Sequence, residues 1–434
     1  MTSTTLVVST PVATAAASRH RWKVLAAGVA ANAAFSVAFS GIPTTAVLMR
    51  TGYHLDNATL GLILGLMGLG IALSELPWGL LTDRWGDRPV LLTGLLSTAL
   101  AFAAMARWAA PVAGHIPALG WLAAGLVLAG LLGGSVNGAS GRAVMSWFAD
   151  GERGLAMSIR QTAVPLGGGV GALVLPAVVL HVGFTAAYAL LASLCLLASL
   201  LAWAWVHEPS ASTPATGAAT GVPTPTGAGP LRDPRIWRIV AGIGILCAPQ
   251  FAVLSFGTVF LHDVGHAHLA VITASMVVVQ VGAMAMRVWS GRWTDRHRNR
   301  PAYLRACGAI SVLLFAALSA AAFVCDSDGS DLATMRVVLI PLLVAGGVCV
   351  SAWHGVAYAE LATLAGAARS GTALGMANTS VFAICFVTPL AIPHLLALQS
   401  WPLVWLTVSA CALASIPLLA RRPAATPVRR ATLG

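Results

Sequence analysis

The sequence contains few charged residues. Only 9% of its 434 residues are Asp, Glu, Lys or Arg, whereas 58% are hydrophobic and the mean hydropathy is +0.83. Soluble globular proteins carry about 25% charged residues, so this composition excludes an ordinary soluble domain. A membrane helix needs about 20 apolar residues, which gives a chain of 434 residues room for twelve crossings and short loops. We therefore predict an all-α, polytopic protein within a lipid bilayer.

Several kinds of functional motif are also missing. The seven cysteines show no CxxC or CxxH spacing, so they indicate neither a disulfide framework nor a metal site. Without a G-x-x-x-x-G-K-[ST] loop, ATP-driven transport would require another chain. We find no nucleophile with its base and no paired acid and base, so we expect no enzyme activity and no cofactor. The basic residues behind the net charge of +11 are scattered at helix ends and do not form a nucleic-acid-binding face.

Apolar runs of membrane length recur along the chain. We predict spans near residues 24–49, 58–81, 90–107, 119–146, 155–181, 184–206, 236–261, 269–291, 302–324, 336–360, 372–395 and 402–420. A stretch rich in Pro, Gly, Ser and Thr divides them into two groups of six and is predicted to be a flexible linker. The resulting domains are a disordered N-terminal tail (1–22), a six-helix bundle (23–206), the linker (207–234), a second six-helix bundle (235–421) and a C-terminal tail (422–434).

The positions of Lys and Arg predict the orientation in the membrane. Most lie in the N-terminal region, in the loops after even-numbered spans or in the C-terminal region; the exceptions are Arg50, Arg107, Arg142, Arg160, Arg287 and Arg336. Lys and Arg concentrate on the cytoplasmic side of membrane proteins. Both termini are therefore predicted to be cytoplasmic, and a bacterial inner membrane is the expected location.

One polar stretch occurs twice. GLLTDRWGDRP at residues 79–89 returns as GRWTDRHRNRP at residues 291–301, 212 residues later. Each copy lies between two apolar runs, so we predict two short polar turns on the same side of the membrane. A second register, offset by 217 residues, aligns spans 4 and 5 with spans 10 and 11. The chain is therefore predicted to be a duplication of six spans, as in transporters built from repeats.

The pattern G-x-x-x-D-R-x-G-x-R resembles the loop between helices 2 and 3 of the major facilitator superfamily. The resemblance implies two pseudo-symmetric six-helix bundles, alternating access, and a charge network of Asp and Arg that holds the two halves together on the cytoplasmic side. Asp87 stands where that family usually has a basic residue, which we expect to weaken one arm of the network. The matching positions are Gly79, Asp83, Arg84, Gly86, Arg88, Gly291, Asp295 and Arg296.

Two charged residues lie within predicted spans at equivalent positions of the repeat. Glu75 and Arg287 are 212 residues apart, and a charge inside a membrane costs about 2.5 to 3.5 kcal/mol on insertion scales. Arg287 can hold an anion by two parallel hydrogen bonds. Its setting in R-V-W-S-G resembles the helix 8 arginine of monocarboxylate and oxalate:formate carriers, and a cyanate-like solute also suits a single arginine. The alternative is a structural tie to span 5 or to the Asp295 turn.

Glu75 is the candidate for proton coupling, because desolvation disfavours its charged form. It also has a structural alternative as a static partner for an arginine or for the neighbouring turn. His354 is a second candidate for titration, although a span histidine is often only an interhelical hydrogen-bond donor. His262, Asp263, His266 and His268 lie in an outside loop without an evident rigid frame, so we predict no metal site there. The other candidate substrate-binding residues are Asn32, Asn137, Gln161, Gln250, Tyr358 and Asn378.

These observations predict a monomeric secondary active transporter. Its substrate is expected to be a small organic or inorganic anion of the monocarboxylate type, moved with protons or by exchange. A proton-driven exporter of drugs or metabolites is the alternative within transport. A channel or a transport-like membrane sensor is the alternative from another functional class.

Overall fold

The structure of the protein is a computed structural model. It describes residues 11–112, 114–148, 156–157, 159–207, 230–327, 332–365, 370–398 and 400–420. Most of the predicted linker and all of the predicted C-terminal tail lie outside these residues.

Twelve helices in the described part of the chain are long and apolar enough to cross a membrane. Spans 1 to 12 are, in order, Arg19–Gly52, Asn57–Trp85, Asp87–Trp108, Leu119–Trp147, Ile159–His181, Phe184–Trp205, Pro234–Asp263, Leu269–His297, Arg300–Cys325, Val337–Ala365, Gly371–Leu398 and Trp401–Leu419. The prediction of an all-α, polytopic fold is confirmed. Most spans extend beyond the predicted bounds, because polar helix ends continue past the apolar runs from which those bounds were taken.

Spans 1, 4 and 10 are interrupted within the bundle. Span 1 consists of a helix, a short 3-10 segment and a second helix, while spans 4 and 10 each consist of two helices. Their bounds are Pro11–Gly41, Ile42–Thr45 and Ala46–Gly52 in span 1, Leu119–Gly133 and Ser135–Trp147 in span 4, and Leu332–Cys349 and His354–Ala365 in span 10. The breaks in spans 4 and 10 fall at equivalent positions of the 217-residue repeat. The first helix begins at Pro11, so residues 11–22 are helical and are not the disordered tail that the sequence predicts.

The packing of the spans follows the duplication. Span 1 packs against span 5 and span 3 against span 6; correspondingly, span 7 packs against span 11 and span 9 against span 12. The two halves meet along spans 2 and 11 and along spans 5 and 8. This arrangement is the predicted pair of pseudo-symmetric six-helix bundles.

The repeated polar stretches form much shorter turns than predicted. Span 2 remains helical through Trp85, Gly86 alone reverses the chain with φ 86° and ψ 171°, and span 3 begins at Asp87. In the second copy, span 8 remains helical through His297, and Arg298 adopts the left-handed conformation with φ 49°. The prediction of a polar turn over residues 79–89 is therefore wrong in extent. Polar residues at the water boundary keep their helical hydrogen bonds, and only one residue with positive φ is needed to end the helix.

The two halves are joined by an ion pair at one end of the bundle. Arg50, at the end of span 1, donates hydrogen bonds of 2.6 and 2.5 Å from its two Nη atoms to the two carboxylate oxygens of Asp263, at the end of span 7. His262 lies 2.7 Å from the same carboxylate. We call this the Arg50 end, and we call the opposite end, which carries Asp83 and Asp295, the motif end.

Glycines on span 2 allow spans 2 and 11 to approach closely near the Arg50 end. A side chain at Gly61 would collide with the carbonyl oxygen of Pro389, and a Cβ atom at Gly65 would lie 2.7 Å from the carbonyl oxygen of Phe386. Both neighbours are backbone atoms, which cannot move aside as a flexible side chain can. Small residues at such contacts are a common means of packing membrane helices.

Replacing one of these glycines tests the close contact between spans 2 and 11. We expect Gly65→Ala to lower the free energy of unfolding by about 1 to 3 kcal/mol, because an extra methyl group overpacks the contact. Gly120→Ala is the matched control, since nothing lies within 4 Å of a Cβ atom there. Thermal unfolding of the purified protein in detergent measures the difference. Equal melting temperatures for the two variants would contradict the contact.

Breaking the Arg50–Asp263 pair tests how strongly the ends of spans 1 and 7 are joined. Hydrogen bonds to charged groups contribute about 1.5 to 3 kcal/mol, and the two side chains are only 23% and 28% exposed. We expect Arg50→Ala and Asp263→Ala to destabilise the protein, and the double variant to be less destabilised than the sum of the two. A double-mutant cycle of thermal unfolding measures this coupling. Additive losses would show that the pair contributes nothing as a pair.

Candidate functional site

Polar side chains from both halves lie at a similar depth in the bundle. Glu75, Asn137, Arg287, Tyr358, His354 and Asn378 each lie 7 to 11 residues from the motif end of their span. At about 1.5 Å per residue this corresponds to roughly 10 to 16 Å along the helix from that end. We call these residues, with Arg160, the central cluster.

A chain of hydrogen bonds crosses from one half to the other within the central cluster. Asn378 of span 11 donates from Nδ2 to Oε1 of Glu75 on span 2, at 2.8 Å. The Tyr358 hydroxyl of span 10 donates to Oδ1 of the same asparagine, also at 2.8 Å. Glu75 is only 8% exposed, and its second carboxylate oxygen has no hydrogen-bond partner in the described part of the chain. One oxygen of the carboxylate is thus held across the interface between the halves, and the other is left without a partner.

Arg160 provides the positive charge nearest to Glu75. Its Nε donates to the Ser140 hydroxyl at 3.0 Å, and its Nη2 donates to the carbonyl oxygen of Asn137 at 2.6 Å. The guanidinium is 4% exposed and interacts electrostatically with the Glu75 carboxylate. The Asn137 side chain also lies close to that carboxylate. Arg160 therefore belongs to the central cluster, and Glu75 is its acidic neighbour there.

Arg287 lies in the same cluster without an acidic neighbour. Its Nε donates to the Ser351 carbonyl oxygen at 3.1 Å, which ties span 8 to the break in span 10. Its electrostatic neighbours are Tyr358, Cys247 and His354. No hydrogen bond from its two Nη groups is found in the described part of the chain. The structural alternatives predicted from the sequence were a tie of Arg287 to span 5 or to the Asp295 turn. The hydrogen bond of Arg287 instead goes to span 10.

An aromatic stack forms the span 10 side of the cluster. The Trp353 and His354 rings lie 3.8 Å apart with 18° between their planes, and the Tyr358 ring is nearly parallel to that of His354 at 6.3 Å. Nδ1 of His354 is buried and has no hydrogen-bond partner among the described residues. The described contacts of His354 are thus this ring stacking and an interaction with the backbone of Ser351 in the same span.

Three predicted substrate-binding residues have no described contact with the central cluster. Asn32 on span 1 is 1% exposed, and its Nδ2 has no hydrogen-bond partner in the described residues. Gln250 on span 7 is half-buried with its Oε1 likewise without a partner, and Gln161 at the start of span 5 is exposed. Gln161 and Asn378 are therefore equivalent in the repeat but differ in environment, because Gln161 is exposed and Asn378 lies in the central cluster.

The residues of the repeated motif form charge pairs within each half. Arg142 of span 4 contacts Asp83 at 3.0 Å and Asp87 at 3.4 Å, and Arg88 donates to the Trp203 carbonyl oxygen at 2.8 Å. In the second copy, Arg300 pairs with Asp295 at 3.0 Å. Asp87 thus takes part in the network as a second ion-pair partner of Arg142. The expectation that Asp87 weakens an arm does not fit this contact.

The remaining motif residues face open surroundings. Arg84 and Arg296 are exposed, and nothing lies within 4 Å of a Cβ atom added at Gly79 or Gly291. Among the residues that the structure describes, the ion pairs of Asp83 and Asp295 each lie within one half, so the holding role that the resemblance implies stays a prediction. The described contacts between the halves lie at the Arg50 end, in the central cluster, and along the pairs formed by spans 2 and 11 and by spans 5 and 8.

Comparisons with known proteins place this architecture in a family. The sequence profile described as Major Facilitator Superfamily matches residues 25–324, well over half of the chain. The chain belongs to this superfamily. Two uncharacterized MFS-type transporters from two strains of Mycobacterium tuberculosis are each 28% identical over 405 residues, which cover 92% of this chain and 84% of each relative.

Solved structures of superfamily members have the same fold. The crystal structure of a D-xylose-proton symporter matches with a TM-score of 0.72 and 16% identity, covering 93% of this chain and 98% of the symporter. A bacterial homolog of the human lysosomal transporter Spinster, in an inward-facing and unoccupied conformation, matches with a TM-score of 0.65 and 15% identity, covering 92% of this chain and 95% of that protein. As a member of the superfamily, the protein is a multi-pass membrane transporter.

Several polar residues of the interior were not selected from the sequence. From the sequence, Arg160 stood out only as an exception to the distribution of Lys and Arg, and Ser140 did not stand out. Gln280 of span 8 is 7% exposed, and Gly168 of span 5 packs against its amide group. The sequence feature that indicates this contact between the halves is a glutamine within a membrane span. No group of three potential metal ligands occurs among the residues that the structure describes.

Proposed function

We propose that the protein moves a small monovalent anion across the membrane by alternating access, with the anion held by Arg287. The observation that carries this proposal is the charge balance of the central cluster. Glu75 interacts electrostatically with Arg160, whereas the partners of Arg287 among the described residues are neutral. An uncompensated guanidinium is costly within a membrane, so a bound anion would supply the missing charge. A monocarboxylate or an inorganic anion such as cyanate fits a single arginine.

The orientation proposed from the positions of Lys and Arg assigns each end of the bundle to one side of the membrane. With the motif end in the cytoplasm, the Arg50–Asp263 pair and the span 2–span 11 contact close the extracellular side. Gly138 and Gly355, at equivalent positions of spans 4 and 10, are exposed and have no atom within 4 Å of an added Cβ. This open space supports a pathway that leads from the central cluster to the cytoplasm, so we propose that the structure represents an inward-facing state.

Glu75 is the proposed proton carrier. Its free carboxylate oxygen can take up a proton while Oε1 keeps its bond to Asn378. Because Glu75 and Asn378 belong to different halves, a change in the charge of Glu75 acts directly on a contact that alternating access must rearrange. His354, beside Arg287, is proposed as a second group whose charge responds to substrate.

Ligand-dependent stability tests the anion site. A ligand present at 100 times its dissociation constant adds about 2.7 kcal/mol to the stability of the native state. We expect monocarboxylates or small inorganic anions to raise the melting temperature of the purified protein, and Arg287→Ala to remove this effect. Arg305→Ala, which changes an exposed arginine on span 9, is the matched control and should keep it.

The same screen separates anion transport from drug export. Stabilisation by lipophilic cations that survives in Arg287→Ala would contradict the anion proposal and favour an exporter, in which Arg287 is structural. Proteoliposome uptake distinguishes a transporter from a membrane sensor, which would bind the solute without net movement.

Proton coupling is tested with Glu75→Gln. We expect this variant to lose accumulation driven by a pH gradient but to retain exchange of substrate, because an amide keeps a hydrogen-bonding group opposite Asn378 and cannot carry a proton. Uptake into proteoliposomes, with and without a pH gradient, measures both activities. Glu360→Gln, near the motif end of span 10, is the control carboxylate. Equal loss of gradient-driven uptake and exchange would show that Glu75 is a static partner.

A further inference from the structure

Three phenylalanines from both halves meet in the middle of the bundle. Phe39 of span 1 stacks on Phe251 of span 7, with 5.6 Å between ring centroids and 27° between planes. Phe39 also meets Phe382 of span 11 edge-on, at 5.4 Å and 79°. We call these three residues the phenyl layer. Phe39 and Phe382 are half-buried, and Phe251 is 2% exposed, so two of the three rings have surface left for a further contact.

The phenyl layer lies one helical turn from the central cluster, toward the Arg50 end. Phe382 follows Asn378 by four residues on span 11, and Phe251 follows Cys247 by four residues on span 7. Asn378 bonds to Tyr358, and Cys247 lies beside Arg287. Residues four apart lie on the same face of a helix, separated by about one turn of 5.4 Å. The phenyl rings therefore follow the polar groups along the same faces of spans 7 and 11.

The wall next to Arg287 is aromatic as well. Trp353, His354 and Tyr358 form their stack on span 10, and the Tyr358 and His354 side chains are the electrostatic neighbours of the Arg287 guanidinium. Tyr358 packs against the same hydrophobic cluster as Phe39 and Phe382. A flat apolar group attached to an anion at Arg287 would thus contact the aromatic stack of span 10 on one side. Toward the Arg50 end, the same group would contact the phenyl layer.

We propose that the transported anion is a carboxylate with an aromatic body, such as a short arylalkanoic acid. The carboxylate would bind Arg287, and the ring would lie between Tyr358 and the phenyl layer. The separation of about one helical turn between these two regions suits a carboxyl group joined to a ring by a short linker. Acetate or an inorganic anion would leave the phenyl layer unused. This inference rests on the proposed anion site and names its substrate class.

The competing explanation is that the phenyl layer only closes the pathway. Aromatic contacts between halves would then stabilise this state for every substrate alike. A contact with substrate, by contrast, would affect aromatic acids and leave acetate unchanged. Ligand selectivity is therefore the measurement that separates the two roles.

The experiment compares four ligands by thermal shift of the full-length protein in detergent: acetate, phenylacetate, 3-phenylpropionate and the neutral alcohol 3-phenylpropan-1-ol. We expect the two aromatic acids to bind at least tenfold more tightly than acetate, and the alcohol to bind weakly. Phe382→Leu and Phe39→Leu should reduce the ratio of aromatic acid to acetate affinity at least threefold while acetate affinity is kept. Phe386→Leu, one turn further along span 11, is the matched control and should keep the wild-type ratio.

Each opposite result has a separate meaning. If aromatic acids bind no more tightly than acetate, while Arg287→Ala removes the binding of both, the aromatic inference is overturned and the anion site stands. If Phe382→Leu and Phe39→Leu weaken all ligands equally, the phenyl layer acts only in closing the pathway and the inference is likewise overturned. If the neutral alcohol stabilises as strongly as the acids and Arg287→Ala changes nothing, the proposed anion function itself fails.

Discussion

A guanidinium or carboxylate within a bilayer is tolerated when other groups replace the water that it has lost. Arg160 has the Ser140 hydroxyl and the Asn137 carbonyl as hydrogen-bond partners, and Glu75 has Asn378. Among the described residues, Arg287 has a backbone carbonyl and neutral side chains. The central cluster thus contains two arginines and one glutamate, and the proposed function rests on that difference.

The same cluster couples the two halves. Spans 2 and 11 approach through backbone contacts near the Arg50 end, and farther along the same pair of helices Glu75 and Asn378 share a hydrogen bond. The first contact is made by backbone atoms, and the second by polar side chains. One pair of helices thus carries two chemically different contacts between the halves.

The sequence was sufficient to predict the architecture. Low charge and apolar runs indicated the spans, and the 212-residue repeat identified Glu75 and Arg287 as equivalent residues, which the structure places in one cluster. The repeat predicted position but not environment, since Gln161 is exposed while its counterpart Asn378 is in the cluster. Side-chain direction changes by about 100° per residue along a helix, so a small difference in rotation or in helix start separates equivalent residues.

The sequence also could not predict which side chains from distant parts of the chain contact each other. Arg142 and Arg160 both lie within polar stretches of spans 4 and 5, yet one pairs with Asp83 at the motif end and the other points into the cluster. The extent of the turns was also misjudged, because a charged residue at the water boundary is compatible with either helix or turn. Backbone angles at a single residue, Gly86, decide between them.

The one-residue connection at Gly86 has a consequence for biogenesis. Two helices joined by a single glycine leave no loop between spans 2 and 3, so these spans form a hairpin with a one-residue connection. Span 2 carries Glu75, whose charge opposes insertion before Asn378 or Arg160 is available, since both lie later in the chain. The span that follows Glu75 directly in the chain is apolar. The tight hairpin thereby joins a buried carboxylate to an apolar neighbour before the partners of that carboxylate are synthesised.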